Sequence, residues 1–145
     1  MRQSTLRAGF FRDLVTIARK MRTVFDGRAA EHGLTYARAR ILLQLTTKDT
    51  IGQSELAEAM EVEPPTMARL LEAMEDCGLV TRTIAPKDRR QRNVHLTPAA
   101  QDQAAVVLAM TRKLRMELTE GIPPQDLETA RDVLAKVLVN ASKVA

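Results

Sequence analysis

Five cations fall within eleven residues of this chain: Arg82, Lys87, Arg89, Arg90 and Arg92, with one acid, Asp88, among them. Five positive charges less one negative give +4, which is also the formal net charge of the whole 145-residue chain, so everything outside this block sums to zero. A concentrated basic block is the electrostatic footprint of contact with a polyanion, although a short basic run standing alone is more often a solvated loop. Its surroundings have to decide between the two.

Other chemistry is sparse. One cysteine, Cys77, excludes an intramolecular disulfide framework and any multi-cysteine metal site, and two histidines, His32 and His95, leave little for a zinc or iron centre. There is no paired-carboxylate site, no Ser or Cys nucleophile near a His, and no glycine-rich phosphate loop, so an enzyme is not expected and no cofactor is implied. With no Trp and only 3% aromatic residues, binding of single strands by base stacking is disfavoured. The first ten residues hold Arg2 and Arg7 and no apolar run, so no signal peptide is expected. The longest apolar run, residues 104–110, is seven residues against the roughly 20 of a membrane span. The expectation is a soluble, cytoplasmic protein with no membrane partner.

The elements that must carry the basic block follow from periodicity. A chain of this length is one compact domain or one protomer, and no repeat, low-complexity tract or long linker divides it. Leu6, Phe10, Leu14, Ile17, Met21 and Val24 step by three and four, which predicts a helix over residues 6–25, ended by Gly27 or Gly33. Thr35 suits the N-cap of a second helix with Ala37, Ile41, Leu42 and Leu45 inward. Residues 47–50 read as a polar loop and Ile51 as a strand of one or two residues. Gly52 opens a short helix to about Met60 with Leu56, Ala57 and Met60 apolar. Glu61-Val62-Glu63 is a turn, and Pro64 and Pro65 suit the first turn of the next helix, where a missing N–H costs nothing. That helix is predicted to reach Cys77, with Gly78 at its C′ position. Its inward residues are Met67, Leu70, Leu71, Met74 and Cys77, and its outward ones Pro65, Thr66, Arg69, Glu72 and Ala73.

Residues 79–84 and 92–96 alternate as strands around a loop at residues 85–91, giving a β-hairpin with a charged tip. Thr97-Pro98 caps a long helix to about Leu118, with Val107, Met110, Leu114 and Leu118 in one stripe. Gly121 and Pro123-Pro124 break the chain before a last helix over residues 125–142, striped by Leu127, Ala130, Leu134, Val137, Leu138 and Ala141.

Short helix, turn, longer helix and hairpin make a winged helix-turn-helix, so the fold class is mainly α with a small β-hairpin. A helix fits the major groove of duplex DNA, where Pro65, Thr66 and Arg69 in the first turns would reach base edges, Arg69 donating twice to guanine. A basic hairpin beside it places an arginine in the adjacent, narrower groove. The charge block therefore lies where a wing should be. Gln53, Ser54 and Thr66 are phosphate donors or helix caps, Arg82, Lys87, Arg89, Arg90 and Arg92 are wing contacts, and Arg38 and Arg40 read as solvated. Cys77, on the apolar side with no adjacent base, reads as a small hydrophobe, and His32 and His95 as structural.

The ordered motifs Gln53-Ser54-Glu55-Leu56-Ala57, Val62-Glu63-Pro64-Pro65-Thr66, Gly78-Leu79-Val80, Asp88-Arg89-Arg90 and His95-Leu96-Thr97-Pro98 resemble the MarR (multiple antibiotic resistance regulator) family, and length and the proline-led helix resemble its SlyA-like branch. Ala100, where the family commonly has Gly, and Gly52, where Thr is frequent, are mild departures. The resemblance spans residues 6–139 and implies a bacterial, homodimeric winged-helix regulator, usually a repressor. It implies that Asp88 steadies Arg90 as the wing's minor-groove arginine. It also implies a small aromatic or phenolic effector, with Arg19, Arg22, Tyr36 and Met67 as candidate ligand contacts. Some relatives sense oxidants, which draws attention to Cys77.

Physics supports the dimer separately. The winged helix closes its own core, so the terminal helices have surplus apolar surface, which a two-fold partner commonly covers. Residues 35–97 are then the DNA-binding lobe, and residues 5–34 and 98–145 the dimerisation helices. Two lobes imply a pseudo-palindromic duplex site with half-sites roughly 10 bp apart. The alternative from another class is a winged-helix protein-interaction module, an anti-repressor without sequence-specific DNA binding.

Overall fold

The computed structural model describes residues 2–145. The chain runs α1 (Gln3–Glu31), α2 (Tyr36–Leu45), β1 (Ile51–Gly52), α3 (Gln53–Met60), α4 (Pro64–Asp76), β2 (Val80–Ala85), β3 (Asp88–Leu96), a 3₁₀ turn (Pro98–Ala100), α5 (Gln101–Leu118) and α6 (Pro124–Val144). It divides into two units, one comprising the residues up to Arg112 and the other Lys113–Ala145.

In the first unit α1 stops at the later of its two expected ends. Gly27 is accommodated inside the helix, at a cost of about 1 kcal/mol relative to Ala, and the chain stops only at Gly33, whose φ of +71° is open to glycine without strain. The N–H groups of Gly33 and Leu34 there satisfy the carbonyls of Ala30 and Ala29, and Leu34 is buried beneath the turn. Thr35 caps α2 as expected, its hydroxyl accepting from the Arg38 N–H.

Leu56, Ala57 and Met60 of α3 and Met67, Leu71 and Met74 of α4 are buried with Ile41, Leu42 and Leu45 of α2. This is the core of a helix-turn-helix. The turn is tight because Glu61 takes the left-handed conformation at φ 54°, letting the Val62 N–H reach back to the Ala57 carbonyl. Two expectations for α4 fail. Leu70 is only half-buried and Cys77 is exposed. The helix ends at Asp76, and Gly78 at φ +75° turns the chain away, so the inward stripe does not extend to Cys77.

The hairpin also differs from expectation. It belongs to a three-stranded antiparallel sheet in the order β1-β3-β2, because the two-residue strand β1 pairs Ile51 with Val94 and Gly52 with Asn93. The return strand begins at Asp88, so the connecting loop is Pro86-Lys87 rather than residues 85–91. Pairing jumps from Ile84↔Arg92 to Ala85↔Asp88, which leaves Arg89, Arg90 and Gln91 without register partners on β2. The bulge twists the tip and re-aims side chains that a regular ladder would hold alternately on the two faces of the sheet.

Thr97 caps the next segment, its hydroxyl accepting from the Ala100 N–H and donating to the Gly78 carbonyl. Ala104, Val107 and Met110 on α5 are buried. In the second unit, Gly121 at φ +77° and two prolines separate the end of α5 from α6. Every residue of α6 is at least partly exposed, and Leu134, Leu138 and Val139 stand open. No helix among the described residues is long and apolar enough to cross a membrane.

Leu71→Ala in the fully buried seam of α4 is expected to lower stability by about 2–5 kcal/mol in urea titrations, whereas Ile84→Ala on the exposed ribbon stays within about 0.5 kcal/mol.

Candidate nucleic-acid interface

Helix α4 has no side-chain cap at Glu63, and two prolines occupy its first positions. Its apolar seam faces the core, which turns Pro65 and Arg69 fully outward and leaves Thr66 half-buried. Arg69 makes no hydrogen bond or ion pair among the described residues, and no pair with Glu72 forms. Its five guanidinium donors are therefore available to an outside acceptor. Arg69 is also the one cation between residues 53 and 78, against seven acids. A polyanion approaching this helix meets net repulsion from the helix-turn-helix and attraction from the ribbon alongside.

That ribbon is organised by short polar contacts. Asp88 Oδ1 accepts from the Arg90 backbone N–H at 3.0 Å and from its Nε at 3.5 Å. The first contact folds the bulge and the second orients the arginine, whose side chain is 92% exposed. Arg92 donates to the Arg89 carbonyl at 3.4 Å, and Lys87 and Arg89 are exposed at the tip. Lys87, Asp88, Arg89, Arg90 and Arg92 are thus brought together.

Gln53, Ser54 and Arg82 have other neighbours. Arg82 donates from Nε (3.0 Å) and from a terminal nitrogen (2.7 Å) to Glu75 Oε1 on α4, and its other terminal nitrogen donates to Gln53 Oε1 at 3.4 Å. Ser54 Oγ donates to Gln91 Oε1 at 2.9 Å. A cavity of about 100 Å³ lies between, lined by Gln53, Ser54, Pro64, Met67, Arg90 and Arg92 among others. Sequence reasoning gave no role to Gln91 or Glu75. No local signal marks Gln91, because its partner Ser54 lies 37 residues away in sequence.

The four candidate ligand contacts do not form one group. The Arg22 guanidinium lies 4.5 Å from the Tyr36 ring centroid, and Arg40, which was read as solvated, lies 5.5 Å from it and donates to the Met60 carbonyl. Phe25 meets the same ring edge-on at 5.6 Å. Arg19 is exposed on α1, and Met67 is fully buried at the floor of the cavity beside the ribbon. His95 bridges Thr50 and Thr83 through its two ring nitrogens, at 3.3 and 3.0 Å.

A sequence model of the MarR family matches residues 34–91. The transcriptional regulator PA3341 has a similar structure at 35% identity and a TM-score of 0.85, over 92% of this chain and 98% of that one. A MarR-family regulator from Silicibacter pomeroyi is similar at 27% identity and TM-score 0.77, over 88% and 86% of the two chains. The transcriptional regulator SlyA is similar at 19% identity and TM-score 0.79, over 92% and 94%, which is a likeness of fold.

The hydrogen bond from Arg82 holds the Glu75 carboxyl below its ordinary range, against a smaller opposing effect of burial. A carboxylate depressed in the folded state contributes stability above its unfolded pKa and loses it as pH falls through the folded value. Glu75→Gln is expected to cost at most about 1 kcal/mol at pH 7. Urea midpoints for the two proteins should converge as pH drops below about 4; a gap of equal size at pH 3 and pH 7 would count against the pairing.

Proposed function

The chain belongs to the MarR family of transcriptional regulators, and from that premise we propose that it is a homodimeric repressor of a pseudo-palindromic duplex operator. In this reading residues 35–97 form the DNA-binding lobe, and residues 5–34 and 98–145 the dimerisation helices. Pro65, Thr66 and Arg69 enter the major groove, and Arg90, steadied by Asp88, enters the adjacent minor groove with Lys87, Arg89 and Arg92 on the phosphates. The observation that carries the reading is the Asp88-anchored, almost fully exposed Arg90 on a ribbon next to a helix whose one outward cation has no internal partner.

Support for self-association comes from apolar surface. On α1, Leu6, Phe11, Val15, Ile17, Met21 and Val24 are exposed, as are Leu134, Leu138 and Val139 on α6. Exposed large apolar side chains on each of these helices offer surface for an interaction, and closed two-fold symmetry is the commonest way to cover such surface. A small aromatic acid is the proposed effector. Its support is the pair of guanidiniums, Arg22 and Arg40, set against Tyr36.

Titration of a duplex from the region upstream of the protein's own gene, repeated across salt concentrations, tests the reading. Arg90→Ala is expected to weaken binding on every sequence and to reduce the slope of log K against log salt by about 0.9. Arg69→Ala should cost about 1–3 kcal/mol on the preferred site and relax base preference there. Unchanged affinity and slope for Arg90→Ala would overturn the wing assignment. No shift of the duplex by the wild type at low salt would favour a protein-interaction module instead.

A further inference from the structure

The distal ribbon has little apolar anchorage. Val94 is fully buried near the strand's base, but Ile84 is 57% exposed, and the cavity of about 100 Å³ separates the ribbon from α3 and α4. Across that gap the side-chain links are polar: Ser54 to Gln91 on one strand, and Arg82 on the other strand to Glu75 and Gln53. Two of these contacts end on the first two residues of α3, Gln53 and Ser54, and the third on Glu75 of α4. Gln91 lies within the bulge that carries Arg90, where no ladder partner on β2 fixes the backbone. Gln91 is half-buried and held by Ser54 while its neighbours Arg90 and Arg92 are exposed, so restraining Gln91 restrains the backbone from which both arginines project.

We propose that Ser54 and Gln91 are positioning residues of the wing, acting on DNA through the aim of Arg90 and Arg92, and that Ser54 is not itself a phosphate contact. This rests on the DNA-binding reading above for its consequence, but not for the tie between the two side chains.

Two measurements separate them. The first uses free protein and limited trypsin, with mass spectrometry of the cut after Arg89. Cleavage of a briefly opened segment follows the open population when reclosing is fast. Ser54→Ala and Gln91→Ala should each speed the cut by about five-fold, the worth of one ordinary hydrogen bond. The double variant should be no faster than either single one, and Ser54→Thr, which keeps the hydroxyl, should cut like the wild type. Unchanged rates, or single effects that multiply in the double variant, would overturn the tie. The second measurement is the salt titration with the upstream duplex. Ser54→Ala should weaken binding without changing the salt slope, and Gln91→Ala should add nothing further. A slope lower by about 0.9 for Ser54→Ala would make Ser54 a direct phosphate donor and overturn the positioning role. If the wild type does not bind duplex DNA at all, the functional reading falls while the trypsin comparison still decides the tie.

Discussion

Burial of Val94 between β1 and β2 is the constraint from which the rest of the lobe follows. This residue sits on the middle strand, opposite Ile51 on one side and Arg82 on the other, and is wholly inside the core. Because side chains alternate along a strand, fixing Val94 inward fixes the face of every neighbour. Arg92 goes to the pairing position opposite Ile84, and His95 goes to the opposite face, where it joins Thr50 to Thr83. The two-residue strand β1 is what ties this ribbon to the start of α3. Gly52 is at once the end of β1 and the N-cap of α3, so helix and wing share a junction.

Beyond Val94 hydrophobic burial gives out and polar contacts take over. Each is weak, of the order of 1 kcal/mol. Together they tie the distal ribbon to the start of α3 and to α4. Electrostatics then assigns the work. The helix-turn-helix carries seven acids to one base between residues 53 and 78, while the eleven residues from Arg82 to Arg92 net +4. Long-range attraction of a polyanion therefore falls to the ribbon, and the acidic helices offer shape and a single arginine rather than charge. Arg82 belongs to the basic block by sequence but is neutralised in place by Glu75.

Much of this was legible in the sequence because the signals were punctuation and period. Thr35, Pro64-Pro65, Gly78 and Thr97-Pro98 mark helix ends through backbone geometry, and each does so in the structure. What was missed has a common cause. Periodicity reports which face a residue takes only while the element continues, so Cys77, one residue past the end of α4, was placed inside and lies outside. Strand alternation on either side and Pro86 suggest a loop over residues 85–91, but a bulged strand carries most of those charges. Partners distant in sequence, such as Ser54 with Gln91, have no local signature at all. The same holds for Arg40, which reaches across to the Met60 carbonyl, 20 residues on.

Hydroxyl-radical footprinting of the upstream duplex with purified protein bears most directly on the central claim, that two copies lay helix and wing along one face of a double helix. The account predicts protection in a two-fold symmetric pattern, with half-sites roughly 10 bp apart and protected minor-groove positions flanking each. Those flanking positions should become reactive again with Arg90→Ala while the central pattern persists. A single unsymmetric footprint, or flanking protection indifferent to Arg90, would contradict it.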